Sequence, residues 1–182
     1  MRAFVAIDLP ETICAELAIL QHSLAVGRPV PAENLHLTFN FLGDQRDEAL
    51  EDAHEALSAI RAPAFELQLC GVGTFGKRSA QVIFADVARC DALLDLAGRI
   101  TRALRQAGLE FEKRRFRPHV TIARLPKILS ASELAEVGGF LQAQAGFRGS
   151  AFSVTRFGLY RSTLLPRGAV HEGLATYPLS AF

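Results

Sequence analysis

The sequence has no tryptophan, one methionine, two tyrosines and three cysteines among 182 residues. Cys14, Cys70 and Cys90 are scattered, and no Cys-x-x-Cys pair occurs. So sparse and odd a set gives neither a disulfide framework nor a thiolate metal cage, and it suits a reducing cytosol. Free cysteines of this kind usually serve as small apolar residues. No apolar run approaches the roughly 20 residues needed to span a bilayer. The opening apolar run is interrupted by Asp8 and stopped by Pro10, which is too short and too broken for a signal peptide. A soluble, cytoplasmic protein is therefore expected. An excess of either charge is also lacking: 20 Lys and Arg stand against 19 Asp and Glu, a formal net charge of +1. That balance disfavours a large non-specific nucleic-acid binder and leaves room for a small basic cleft. There is no HExxH, no close His/Asp/Glu cluster, no P-loop and no complete GxGxxG. Neither a metal nor a nucleotide cofactor is expected.

Apolar residues make up 49% of the chain, enough to bury the core of one compact domain. Residues 3–9 read as a buried strand. Pro10 opens a helix that runs to about Val26 and ends at Gly27 and Pro29. Residues 35–42 form a strand, residues 46–60 an amphipathic helix with a solvated acidic face, and residues 64–70 a half-buried strand. His54, among those charges, is placed on the surface. A turn-rich segment follows, Gly71 to Ser79. Residues 80–87 are then a strand, 91–107 a helix closed by Gly108, and 118–125 a strand. A helix over about 131–145 has Ser130 as its N-cap, residues 150–160 form a strand, and the segment 169–180 supplies one more. The order strand, helix, strand, helix, strand occurs twice, over about 3–70 and 80–160. A duplicated unit of this kind packs with approximate two-fold symmetry.

The two histidine strands lie 83 residues apart. One carries His36-Leu37-Thr38-Phe39 and the other His119-Val120-Thr121-Ile122. Side chains alternate across a strand, so His and Thr project together while the apolar pair enters the core. One such motif is weak; two at equivalent places in a repeat point to a shared cleft. Histidine titrates near neutral pH and can act as acid or base. Two threonine hydroxyls can donate hydrogen bonds to the oxygens of a phosphate as negative charge gathers there. Lys113, Arg114, Arg115 and Arg117 precede the second motif and Arg124 follows it, either as phosphate attractors or as solvated charge. His171 has no threonine two positions on and ranks below His36 and His119.

These stretches resemble the RNA 2′,3′-cyclic phosphodiesterases of the two-histidine phosphoesterase superfamily, once called 2′-5′ RNA ligases. The likeness runs from RAFVAIDLP through GRPVPAENLHLTFNFLGD and FRPHVTIARL to FGLYRS, covering almost the whole chain. It implies an α+β fold of two pseudo-symmetric lobes, each an antiparallel sheet with outer helices, around a central cleft. It implies hydrolysis of 2′,3′-cyclic phosphate ends of RNA, or of small cyclic-phosphate nucleotides, to 2′-phosphomonoesters without metal. By resemblance His36 is the proton donor, His119 the proton acceptor, and Thr38 and Thr121 bind phosphate. Arg124 matches a family arginine, and Phe41 matches an aromatic that stacks on the base; its side chain is equally suited to core packing. The family often carries a tyrosine late in the chain, where this sequence has His171. RNA ligation, the reverse reaction, and non-catalytic binding of phosphorylated RNA ends are the alternative readings. A monomer is expected.

Overall fold

The computed structural model describes residues 1–76, 80–112, 115–166 and 168–180. The elements in chain order are β1 (Arg2–Asp8), α1 (Glu11–His22), β2 (Arg28–Pro29), a 3-10 turn (Ala32–Asn34), β3 (His36–Asp44) and α2 (Asp47–Ser58). Then come β4 (Phe65–Leu67), β5 (Leu69–Phe75), β6 (Val82–Val87) and α3 (Asp91–Gln106). The chain ends with β7 (His119–Arg124), α4 (Ala131–Ala143), β8 (Phe152–Val154), β9 (Arg156–Leu165) and β10 (Gly168–Pro178). This is an α+β arrangement of four helices and a mainly antiparallel sheet, in the order β10-β9-β1-β3-β7-β6-β5, with β2 paired to β7.

The sheet has a seam. β3 and β7 are joined through one residue pair, Leu37 opposite Val120. Both side chains are fully buried. These are equivalent residues of the two His-x-Thr motifs, so an approximate two-fold axis passes between them. Burial of such a side chain contributes about 1.5–3 kcal/mol. A slip of one residue would turn Leu37 out and His36 and Thr38 into the core, so the apolar positions hold the register.

The two halves are not the contiguous repeats of the sequence. β5, which starts at the end of the first repeat and runs on to Phe75, pairs with β6 of the second, and β9, from the second, pairs with β1 of the first. β4 and β8, one from each repeat, pair with each other. The segment expected to be turn-rich is largely β5, and two of its glycines are needed for strand geometry. Gly71 adopts φ +83° beside a register shift between Leu69 and Val72. At Gly73 a Cβ would lie 2.5 Å from the Phe84 ring, so only glycine lets that ring fill the space. Residues 77–79 lie outside the described residues. The strand expected over 150–160 is broken into β8 and β9, and the final strand, β10, is long.

The helices bury the stripes their periodicity predicts. α3 turns Leu93, Leu96, Ala97, Ile100 and Leu104 inward, and α2 turns Leu50, Ala53 and Leu57. α1 stops at His22, earlier than the expected Val26, because residues 23–30 turn back to pair β2 with β7. Gln21 secures that return: its Nε2 donates to the carbonyls of Val30 (2.8 Å) and Ile122 (2.7 Å). Ser130 caps α4 in a reciprocal box with Glu133, as its sequence position predicts. No helix is long and apolar enough to cross a membrane among the described residues.

Candidate active site

His36 and Thr38 project half-buried from β3, and His119 and Thr121 from β7, while Leu37, Phe39, Val120 and Ile122 are buried on the opposite face. The seam therefore brings both pairs to one surface. The two imidazoles are held alike. His36 Nδ1 bonds the carbonyl of Asn34, and His119 Nδ1 bonds the carbonyl of Arg117, each at 2.7 Å. A carbonyl only accepts, so in the neutral ring Nδ1 carries the hydrogen and Nε2 presents a lone pair.

Aromatic rings floor both histidines. Phe4 lies 4.8 Å from His36, centroid to centroid, and Tyr160 stacks on Phe4 at 5.3 Å. On the other side Phe84 and Phe75 stack at 4.2 Å and meet His119 at 5.5 and 4.8 Å. An aspartate stands opposite each histidine in register: Asp8 pairs with His36 across β1, and Asp86 with His119 across β6. Tyr160 Oη donates to Asp8 Oδ2 at 2.5 Å, and the Val87 amide donates to Asp86 Oδ1 at 2.9 Å. Burial and hydrogen bonding to Asp8 hold the Tyr160 hydroxyl firmly protonated.

Desolvation sets the protonation of the imidazoles. Burial, then the neighbouring His171, lowers His36 from 6.5 to about 4, with Arg124 acting the same way; the Asn34 carbonyl and Asp8 oppose them. Burial also lowers His119, with Arg117 adding to it and the Arg117 carbonyl and Asp86 opposing. Both rings are thus neutral at pH 7 in the free protein.

Arg124, from β7, lies within electrostatic reach of His36 and His171 on the other half. Phe41 is 64% exposed with its ring 6.1 Å from Phe4, so it is available for stacking and is not a core residue. In the basic loop Arg117 lies over the Phe75 and Phe84 rings at 4.8 and 5.1 Å, close to His119. Arg115 is exposed, and Lys113 and Arg114 lie outside the described residues. His54 is exposed, with Nδ1 3.1 Å from Tyr177 Oη. Among the described residues, no three or more His, Cys, Asp or Glu side chains are grouped to hold a metal ion.

The fold brings in what motif reading passed over. His171 lies edge-on to His36, 5.0 Å between ring centroids, although β10 is three strands away in the sheet. Phe4, Tyr160, Asp8 and Asp86 also stand at the site. Of these, only Asp8 left a trace, as the carboxylate that interrupts the opening apolar run.

Residues 9–164 match the model of the 2′-5′ RNA ligase superfamily. The chain belongs to this superfamily. Its similarity to superfamily relatives extends over nearly all of its length. It is 33% identical over 165 residues to the RNA 2′,3′-cyclic phosphodiesterase of Escherichia coli K12, covering 89% of this chain and 87% of that one. It is 30% identical to the RNA 2′,3′-cyclic phosphodiesterase of Thermotoga maritima, covering 96% and 93%. Among solved structures, E. coli LigT complexed with 3′-AMP superposes with a TM-score of 0.80 at 28% identity, covering 98% of each chain. The TT0787 protein of Thermus thermophilus superposes with a TM-score of 0.78 at 28% identity, covering 98% and 97%. As a member of this superfamily the chain carries the α+β architecture of the LigT-type structures, and both of its His-x-Thr strands fall within the matched region.

Proposed function

We propose that this superfamily member hydrolyses 2′,3′-cyclic phosphate ends of RNA to 2′-phosphomonoesters by metal-independent acid–base catalysis, with His36 and His119 as the pair. Its relatives over nearly the whole chain are RNA 2′,3′-cyclic phosphodiesterases, and the chain is an enzyme of that kind. The observation that carries the mechanism is the matched presentation of two imidazoles across the seam, each with Nδ1 bound to a carbonyl and Nε2 left for a ligand.

The site is assigned as follows. The cyclic phosphate lies between the two strands, and the Thr38 and Thr121 hydroxyls donate to its non-bridging oxygens. Arg124 adds positive charge from the β7 end. The phosphate's charge draws a proton onto His36. His119 Nε2 takes a proton from the attacking water as its oxygen bonds to phosphorus. The P–O3′ bond breaks, and His36 gives its proton to the departing 3′ oxygen. A histidine that binds its proton weakly is a strong donor once loaded. Phe41 stacks on the terminal base. With the 5′-hydroxyl of a second RNA in place of the attacking water, the same groups join two ends.

The test is to incubate the protein with a 2′,3′-cyclic-phosphate-ended oligonucleotide in excess EDTA, beside His36→Ala and His119→Ala. Conversion to the 2′-phosphate, falling about a hundredfold or more in each variant, is expected. Turnover surviving both substitutions rejects the pair. Retained binding of the RNA end with no wild-type turnover leaves a binding module instead.

A further inference from the structure

The β9–β10 hairpin does something to the first histidine that no described residue does to the second. Its register shifts between Gly173 and Ala175, as at a β-bulge. Beyond that shift, Asn34 Nδ2 donates to the Ala169 carbonyl at 2.8 Å, tying the hairpin to the 3-10 turn. The same Asn34 supplies the carbonyl that receives His36 Nδ1. The tie sets His171 in place: its ring is 5.0 Å from His36 and 4.8 Å from Phe4, edge-on to both. Around His119 the neighbours are Phe75, Phe84 and Arg117, and no third imidazole is there among the described residues.

We propose that His171 is a positioning residue for His36: set edge-on to it by the β9–β10 hairpin, it excludes water from that imidazole and repels its proton, and so helps make two histidines at equivalent strand positions unequal. The inference rests on the acid–base reading above. The groups acting on His36 come from four elements: Asp8 of β1, the Asn34 carbonyl of the 3-10 turn, Arg124 of β7 and His171 of β10. Tyr160 of β9 acts through its hydrogen bond to Asp8. His171 is the imidazole among them, the neighbour that adds or withdraws repulsion as pH changes. The burial-lowered protonation of His36, with His171 as its second cause, is the electrostatic face of the same geometry.

His171→Phe keeps the ring's bulk and removes its charge; His171→Lys restores a cation. The His36 ring is followed by NMR through a pH titration, with His119 as the internal reference for an intact fold. His171→Phe is expected to raise the His36 midpoint by about one pH unit. His171→Lys brings it back down, and His119 titrates unchanged in both. A His36 midpoint that is the same in wild type and His171→Phe overturns the proposal, whatever the enzyme's activity. With active enzyme, kcat/KM against pH is measured alongside. The limb that moves up in His171→Phe is the one His36 controls: the basic limb if it is the acid, the acidic limb if it is the base. No turnover of cyclic phosphate by the wild type, with the titration shifted as expected, counts against the phosphodiesterase reading and leaves the positioning role standing.

Discussion

The two halves of the sheet present the same motif in different surroundings. On one side His36 lies over Phe4 and Tyr160, is covered by His171 and faces Asp8. On the other His119 lies over Phe84 and Phe75, has Arg117 above those rings and faces Asp86. Each half thus has an aromatic pair, a carboxylate in register and a cationic or titratable neighbour. The neighbours differ in kind. Arg117 is a guanidinium, while His171 is an imidazole that loses its charge as pH rises. A duplicated frame can therefore hold two imidazoles at equivalent positions and still give them different proton affinities, because desolvation and nearby charge are set by side chains outside the motif.

The most demanding test of equivalence is at the hydroxyls. Thr38→Val and Thr121→Val keep shape and remove one donor each, and each is expected to lower kcat on the order of a hundredfold. Equal losses sustain two matched phosphate ligands. A loss confined to one variant breaks the comparison and assigns the anion to one strand.

Stability against pH comes next. His36 binds its proton less readily folded, at about 4, than unfolded, at 6.5. Below pH 6.5 the unfolded chain takes up a proton that the folded chain refuses, so stability is present above that pH and is lost as pH falls towards 4. The loss is at most about 3 kcal/mol from this group. His119 contributes with the same sign. Denaturant unfolding from pH 7 to pH 4 should show the decline, and His36→Gln should flatten it more than His119→Gln does. The reverse order would mean that burial is not greater on the first side.

Two glycines sharpen the contrast by packing. A Cβ at Gly73 meets the buried Phe84 ring at 2.5 Å, and one at Gly158 meets the half-buried Tyr160 ring at 2.7 Å. Phe84 is enclosed and cannot yield, whereas Tyr160 has an open side. Gly73→Ala is expected to cost about 2 kcal/mol and Gly158→Ala about 1 kcal/mol in chemical denaturation. The smallest effect lies in the equivalent helices: α4 has a capping box at Ser130, and α2 begins at Arg46 with no side-chain cap. Ser130→Ala should cost about 1 kcal/mol, and Arg46→Ala close to none.

Much of this site could be read along the chain. The alternation His-apolar-Thr-apolar placed both hydroxyls and both imidazoles on one face, and the buried Leu37–Val120 pair is the other half of that alternation. The amphipathic stripes of α2 and α3 were equally open to reading, since a helix repeats over 3.6 residues and needs no knowledge of its partners. Phe41 was not: an aromatic on a strand suits the core as well as a cleft, and it is its exposure in the fold that takes it out of the core. The segment at Gly71–Phe75 was misread for a related reason. Its glycines signal turns when taken locally, but one serves a bulge and another makes room for a ring that comes from a different strand.

The sequence by itself determined the strand and helix periodicity, the paired His-x-Thr motifs that turn imidazole and hydroxyl to one face, and the superfamily to which the chain belongs, because these depend on periods of two and 3.6 residues and on motifs 83 residues apart. Only the tertiary structure decided that β5 and β9 cross between the repeats, that Arg124 reaches the opposite half, and that His171 comes to rest on His36. Strand exchange, the bulge at 173–175 and the Asn34–Ala169 bond are long-range pairings. Local propensity carries no record of which distant strand will supply the partner, and the proton affinity of a buried imidazole depends on those partners.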